Sequence, residues 1–327
     1  MSSKKVLIFT AVSGTFLVIT ALAGCKTNSW GGNTAPLVSG VANAAAQPED
    51  DAPPADKTGG FDGKRAFAHV AKQVGFGPRP SGSLAIVQLQ DYIQSELTSY
   101  GCKVETEAFS ADTPAGRLPM ENIVAKIPGD KPGILMLATH YDTKRLEDFV
   151  GANDGGSSTG VMLELARLLC PQHGAYQVWI TFFDGEEAVK DWSDTDSRYG
   201  SREMAAKLAM KGELPKIKAF LLADIVGNHP LRFLRDSDST PALADLVWKT
   251  AANLGYSSFF VNESTPIEDD HLSFGKRGVP VVDVIDLIEI QRTYWHTPQD
   301  TLDKVSAKSL AITGHVLLES VKQLQAK

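Results

Sequence analysis

The sequence predicts an α/β fold: a single domain with a mixed, mostly parallel central sheet flanked by helices. Two observations carry that expectation. Short, almost wholly apolar runs recur at 133–139 (GILMLAT), 176–183 (YQVWITFF), 219–225 (AFLLADI) and 279–285, and strands apolar on both faces belong to sheets covered on both sides. Between and after them lie stretches of helical periodicity, at 157–169, 240–254 and 306–325. Strands that alternate with helices build a parallel sheet.

The remaining elements follow in chain order. Residues 61–75 and 83–100 read as helices joined by the turn PRPSGS. Residues 102–109 alternate like a half-buried strand, and 122–127 form a second strand. There is no internal repeat. The folded body is expected over 61–327. Residues 26–60 are mostly Ala, Gly, Pro, Asp, Asn, Thr and Ser, with Trp30 as the one aromatic, a composition that cannot offset its ordering entropy and reads as a flexible tether.

The chain of 327 residues is 43% hydrophobic and 22% charged, an ordinary globular balance that excludes a disordered chain, a fibre and a polytopic membrane protein. A net charge of −7 argues against nucleic acid as a partner, since phosphate binding needs a basic face. Three cysteines are too few for a disulfide scaffold. Cys102 and Cys170 can pair in an oxidising compartment, but sequence does not establish their proximity. The N-terminus reads as an address. Lys4 and Lys5 precede an apolar stretch at 6–23 that closes on Leu22-Ala23-Gly24-Cys25, the pattern of a secretory signal. The alternative is an uncleaved membrane anchor, because the stretch is nearly long enough to span a bilayer.

Polar residues stand where the apolar runs stop. The first ends in Thr139-His140-Tyr141-Asp142, and Asn153-Asp154-Gly155-Gly156 leads into the next helix. Asp184-Gly185-Glu186-Glu187 follows the second run, Asp224 lies at the end of the third, and Tyr294-Trp295-His296-Thr297 comes later. In such sheets ligands bind beyond the carboxyl ends of the strands. Taken singly, an Asp before Gly-Gly is a turn former or cap and a Glu pair is a solvated face. Together they make a constellation of imidazole and carboxylate without Cys, a donor set suited to catalytic zinc. Glu186 and Glu187 point in different directions, so one can bind metal while the other moves protons. His69, His173, His229 and His315 fit no such pattern and read as packing or surface residues.

Leu22-Ala23-Gly24-Cys25 resembles a bacterial lipobox. That resemblance implies cleavage before Cys25, a lipid on its thiol, residues 1–24 as signal, 25–60 as lipidated Cys and tether, and an exported lipoprotein anchored at a membrane of the bacterial envelope. His140-Tyr141-Asp142, Asn153-Asp154-Gly155-Gly156, Asp184-Gly185-Glu186-Glu187, Asp224 and His296 resemble the zinc aminopeptidase family M28. Within that superfamily, three segments resemble the glutaminyl-peptide cyclotransferases: 184–205 (DGEEAVKDWSDTDSRYGSREMA), the run Asp269-Asp270-His271 with Arg277-Gly278-Val279-Pro280, and Trp295-His296-Thr297. The resemblance implies an enzyme that turns the N-terminal glutamine of a peptide or protein into pyroglutamate. It implies one zinc held by Asp154, Glu187 and His296, with His140 left out of the shell. Glu186 would be the acid/base, Asp224 and Asp269 would support it through hydrogen bonds, and Trp192 and Trp295 would line the pocket. The competing expectation is an M28 aminopeptidase with two zinc ions on His140, Asp154, Glu187, Asp224 and His296. This chain departs from the animal cyclases by Asp283 in place of a His after the Val-Pro-Val run, and by Thr139 and Thr159 in place of a Cys pair.

Overall fold

The structure is a computed structural model, and it describes residues 51–326. The signal, Cys25 and the tether as far as residue 50 lie outside the described residues. In chain order the elements are α1 (Gly63–Val74), α2 (Leu84–Ser99), β1 (Lys103–Thr113), β2 (Gly116–Ile127), β3 (Gly129–His140), α3 (Gly156–Leu169), β4 (Gly174–Phe183), α4 (Tyr199–Met210), β5 (Ile217–Asp224), β6 (Phe233–Asp236), α5 (Pro241–Asn253), β7 (Phe260–Thr265), α6 (His271–Gly275), β8 (Val281–Ile285), α7 (Leu287–Gln291) and α8 (Ala307–Gln325).

Six strands form one sheet in the order β1-β2-β4-β3-β5-β8. The pairs β4/β3, β3/β5 and β5/β8 are parallel, while β1/β2 and β2/β4 are antiparallel, so the sheet is mixed and mostly parallel as expected. Strand alternation sorts the side chains to two faces. Leu135, Leu137, Ile180, Leu221 and Val284 pack with residues of α1, α3, α5 and α8 on one side. Met136, Phe183, Phe220 and Val281 pack with α4 and α6 on the other. Burial on both faces is why these strands read as continuous apolar runs rather than as alternation. Sequence reading left α4 and the small parallel sheet β6/β7 unassigned. α4 begins inside a motif-dense segment, and β7 exposes half of its residues, so neither carries a strong apolar signal. No described helix is long and apolar enough to cross a membrane.

Local chemistry fixes the helix starts. The Asp62 carboxylate accepts from the Lys64 and Arg65 amides, Ser83 Oγ from the Ile86 amide, and Ser306 Oγ from the Ser309 amide, satisfying donors that the helix itself leaves free. The folded body starts before Phe61, which corrects the expected tether boundary. Ala55–Lys57 form a 3₁₀ turn, the Gly60 amide donates to Ala55 O at 2.8 Å, and the wholly buried Thr58 donates its hydroxyl to Phe61 O at 2.5 Å. Phe61 lies against Gly314 of α8, where a Cβ would come within 2.2 Å of its ring, so only glycine admits it.

Cys102, just before β1, and Cys170, just after α3, form a disulfide across 68 residues of chain. Cross-linking a loop of that length removes unfolded-state entropy worth up to about 4 kcal/mol. The C102S/C170S variant should therefore unfold at a lower urea midpoint, and reductant should bring the wild type down to the same midpoint.

Candidate active site

Parallel strands place their carboxyl ends on one edge, and the polar residues gather there. His140 ends β3, Asp224 ends β5, and Glu186 and Glu187 follow β4. Asp154 sits two residues before α3 at Gly155, whose φ is +76° and whose Cβ would lie 2.9 Å from Asp142 O and His140 Cε1. A side chain there would displace both strand end and helix start, hence glycine. His296 comes from the loop after α7. Its ring is stacked on Trp295, with centroids 4.0 Å apart, and meets the edge of Phe149 at 5.8 Å.

Among the described residues, two groups of side chains converge closely enough to hold a metal ion: Asp154, Glu187 and His296, and His140, Asp154 and Asp224. His296 Nε2 lies 3.3 Å from Asp154 Oδ2 and 3.2 Å from Glu187 Oε1. His140 Nε2 lies 3.1 Å from Asp224 Oδ1 and 3.4 Å from Asp154 Oδ1. Asp154 Oδ2 and Glu187 Oε1 are buried and have no hydrogen-bond partner. Buried carboxylate oxygens without a donor are costly, and a cation held jointly with His296 satisfies both, so the residues fit a metal ion. Electrostatics agree. Burial opposes ionisation of Asp154, yet His140 and His296 outweigh it and hold the carboxyl below the usual range. Burial would likewise lower His296, but the adjacent carboxylates of Asp154 and Glu187 lift it to about 9. Imidazoles drawn so far toward protonation report a strongly negative potential, the potential a cation would meet.

Other carboxylates of the same region are saturated by amides. Asp142 accepts from the Glu186 and Glu187 backbone N–H groups at 3.0 and 3.3 Å, and Asp300 accepts from those of Asn153 and Asp154 at 2.8 and 3.0 Å. Asp184 accepts from Ser81 Oγ, the Glu121 amide and Gln90. Sequence reading quoted Asp142 and Asp184 inside their motifs but left them out of both ligand sets, and missed Asp300. Arg79 was also missed. It is wholly buried in the PRPSGS turn and donates to the carbonyls of Gln73, Gly77, Val150 and Gly151, which pins the loop leading to Asp154. A buried charge in a proline turn is the signal that could have found it. Tyr294 was noted only as the residue before Trp295. Its hydroxyl is buried between Asn153 and Asn228, tying the His296 loop to the segment that carries Asp154.

Glu186 is almost wholly buried, and its carboxyl is pushed well above the ordinary range, first by burial and then by Asp269 and Glu187, against the opposing charge of His140. Asp224 Oδ1 accepts from the Ile225 amide at 2.7 Å and Asp269 Oδ1 from the Asp270 amide at 2.5 Å. Of the two, Asp269 is the nearby charge that lifts the Glu186 carboxyl. Burial raises Asp269 and Asp270 to about 7 and Asp283 well above its usual value. Asp283 is fully buried, 3.7 Å from His271 Nδ1, while His271 Nε2 lies 3.1 Å from Asp236. At the positions that departed from the cyclase pattern, Thr139 Oγ1 donates to Ser158 Oγ at 2.7 Å and Thr159 Oγ1 to His140 O at 2.9 Å, so hydroxyl bonds tie β3 to α3. His69 and His315 pack against Tyr92 and Tyr256, and exposed His173 pairs with Asp130.

A cavity of about 470 Å³ opens over Glu186, and its lining includes Asp154, Glu187, Trp192, Trp295 and His296. Trp192 and Trp295 are 38% and 37% exposed, which marks them as walls of the opening rather than core.

A sequence profile of peptidase family M28 matches residues 122–321. A glutaminyl-peptide cyclotransferase-like protein of Mus musculus is 33% identical over 256 residues, covering 68% of this chain and 66% of that protein, so the chain spans just under two thirds of that relative's length. Among solved structures, an Acidobacteriales bacterium glutaminyl cyclase superposes with a TM-score of 0.77 at 41% identity, covering 86% of this chain and 98% of that one. A zinc-dependent exopeptidase from Parabacteroides distasonis superposes with a TM-score of 0.73 at 28% identity, covering 79% and 97%. The strand-end constellation thus sits on a shared scaffold: the chain belongs to peptidase family M28 and, within it, to the glutaminyl-peptide cyclotransferases.

Proposed function

We propose that this protein is a zinc-dependent glutaminyl-peptide cyclotransferase that converts the N-terminal glutamine of peptides or proteins to pyroglutamate and releases ammonia. The observation that carries the reading is the placement of Glu186, a buried carboxyl at the floor of a cavity walled by two half-exposed tryptophans and bordered by Asp154, Glu187 and His296. Asp154, Glu187 and His296 would hold the zinc. When bound, the ion supplies Lewis acidity for the γ-amide carbonyl.

The protein's own residues do the rest. Glu186 takes a proton from the substrate's α-ammonium group and passes it to solvent. The freed amine nitrogen forms a bond to the γ-amide carbon of the same residue, closing a five-membered ring. Glu186 then takes the second proton from the ring nitrogen and delivers it to the amide nitrogen as its bond to carbon breaks, and that nitrogen leaves as ammonia. A carboxyl lifted by burial suits both halves of this task, since an acid/base works best with a pKa near the working pH. Asp142 fixes Glu186 and Glu187 through their amides. Trp192 and Trp295 keep the side chain folded back and exclude water that would hydrolyse the amide.

A second reading, an M28 aminopeptidase, is favoured by the additional convergent group His140, Asp154 and Asp224. One assay separates them. Incubated with a glutamine-initiated peptide, the purified enzyme should lower the peptide's mass by one ammonia, and loss of a whole residue would overturn the cyclase reading. In the same assay E186Q should lose about 10²- to 10⁴-fold in kcat while retaining its metal content; near-normal turnover would remove Glu186 from the acid/base role.

H296A should lose zinc outright. Y294F breaks the Tyr294 bridge to Asn153 and Asn228, and should weaken zinc affinity by about tenfold, as loss of a residue that orients a ligand does; competition with a chromogenic chelator reads this without any turnover. For the N-terminus, the lipobox-like Leu22-Ala23-Gly24-Cys25 supports export and lipid anchoring of the enzyme at the bacterial envelope. Metabolic labelling with radioactive palmitate should mark the full-length chain and fail to mark C25A.

A further inference from the structure

The segment that carries Trp192 is a closed excursion. It departs at Glu187, four residues beyond the end of β4, and returns where the Arg198 amide donates to Glu186 O and the Tyr199 amide to Gly185 O, both at 2.7 Å. Inside it the Asp196 carboxylate gathers the amides of Val189, Lys190 and Asp191 at 2.8, 2.9 and 3.0 Å, together with the Tyr199 hydroxyl at 2.8 Å. Beyond Trp192, Ser193 Oγ accepts from the Asp196 amide and Ser193 O from Ser197 Oγ. The backbone is therefore fixed on both sides of the tryptophan, but backbone bonds do not choose its rotamer. A half-exposed indole with open solvent on one side has several staggered positions available.

Two contacts choose among them. Buried Arg198, itself held by Asp194 at 2.8 Å, lies 5.5 Å from the centre of the ring. On the other side the indole Nε1–H donates to Glu268 Oε2 at 2.8 Å. Glu268 belongs to a different segment, between β7 and α6, and immediately precedes Asp269. The bond thus joins two loops across the mouth of the cavity that both residues line. Because the acceptor is a carboxylate, it is of the stronger, charge-assisted kind.

We propose that Glu268 is a positioning residue for substrate binding: its carboxylate holds the Trp192 indole as a wall of the cavity, and it acts through that indole. This rests on the reading of Trp192 as a wall of the glutamine pocket. A residue that shapes a binding wall changes binding common to ground and transition states, so its loss raises KM and spares kcat.

The test is a double-mutant cycle on the full chain with a glutamine-initiated peptide, using E268A, W192F and E268A/W192F, with E268Q as the conservative variant. E268A should raise KM by about tenfold with kcat changed by less than about threefold. E268Q, whose amide oxygen still accepts from the indole, should recover most of the loss. In the W192F background, which has no N–H to donate, E268A should add almost nothing. Acrylamide quenching of tryptophan fluorescence should increase in E268A relative to wild type, and that increase should be absent between W192F and E268A/W192F. A KM unmoved by E268A, or an E268A effect of full size in the W192F background, overturns the proposal. If the wild type releases no ammonia, it is the cyclase reading that fails, and the quenching comparison still decides whether Glu268 holds Trp192.

Discussion

Negative charge packed at the carboxyl edge of the parallel strands is the constraint on which the rest of the structure depends. Two unit charges 4 Å apart still interact by about 4 kcal/mol at an effective dielectric of 20, so a fold that buries several carboxylates together must partner them or push them toward the neutral form, as it does Asp270 and Asp283. Most receive backbone amides: Asp142 takes those of Glu186 and Glu187, Asp300 takes those of Asn153 and Asp154, and Asp196 takes three in succession. Asp154 Oδ2 and Glu187 Oε1 receive none and face one imidazole nitrogen. Identical residue types thus have two fates within one site. Asp142, Asp300 and Asp196 hold the architecture, while Asp154 and Glu187 converge on His296.

Convergence is enforced by strain elsewhere. Arg198, Ile225 and His296 all have φ near +50°, a region that non-glycine residues avoid at a cost of order 1–3 kcal/mol each. All three flank the site: Arg198 under Trp192, Ile225 directly after Asp224, and His296 in the first convergent group. Such conformations persist only where surrounding packing overdetermines them. Here that packing is the two-sided apolar core of the sheet, the buried Arg79 that pins the loop before Asp154, and the Tyr294 hydroxyl that ties the His296 loop to Asn153. A site built this way is held in shape before any ligand arrives, which is what a reaction within a single residue of substrate requires.

The elements with strong apolar periodicity were legible to within a few residues, because burial on one or both faces writes a pattern that needs no context. The strand ends were legible as a site for the same reason: a polar residue closing an apolar run stands out. Other features carry no such mark. Asp142 and Asp154 cannot be told apart as sequence, since what separates them is whether an amide from a distant segment reaches them. The tether was drawn too long because Gly59 lies against Leu318 and Glu319 of α8, more than two hundred residues away in sequence. The pairing of Cys102 with Cys170 depends on α3 packing beside the start of β1, and Glu268 shows its contact with Trp192 only once two loops meet across the cavity.

By itself the sequence determined the layered α/β class, the succession of main-chain elements and the set of residues able to carry the chemistry, because apolar periodicity and side-chain type are local properties. Tertiary structure decided which carboxylates are bonded by amides, that Asp269 lies close enough to Glu186 to lift its carboxyl, and how the two tryptophans are presented. Those outcomes depend on distances between segments far apart in the chain, and only the closing of the sheet and its loops sets them.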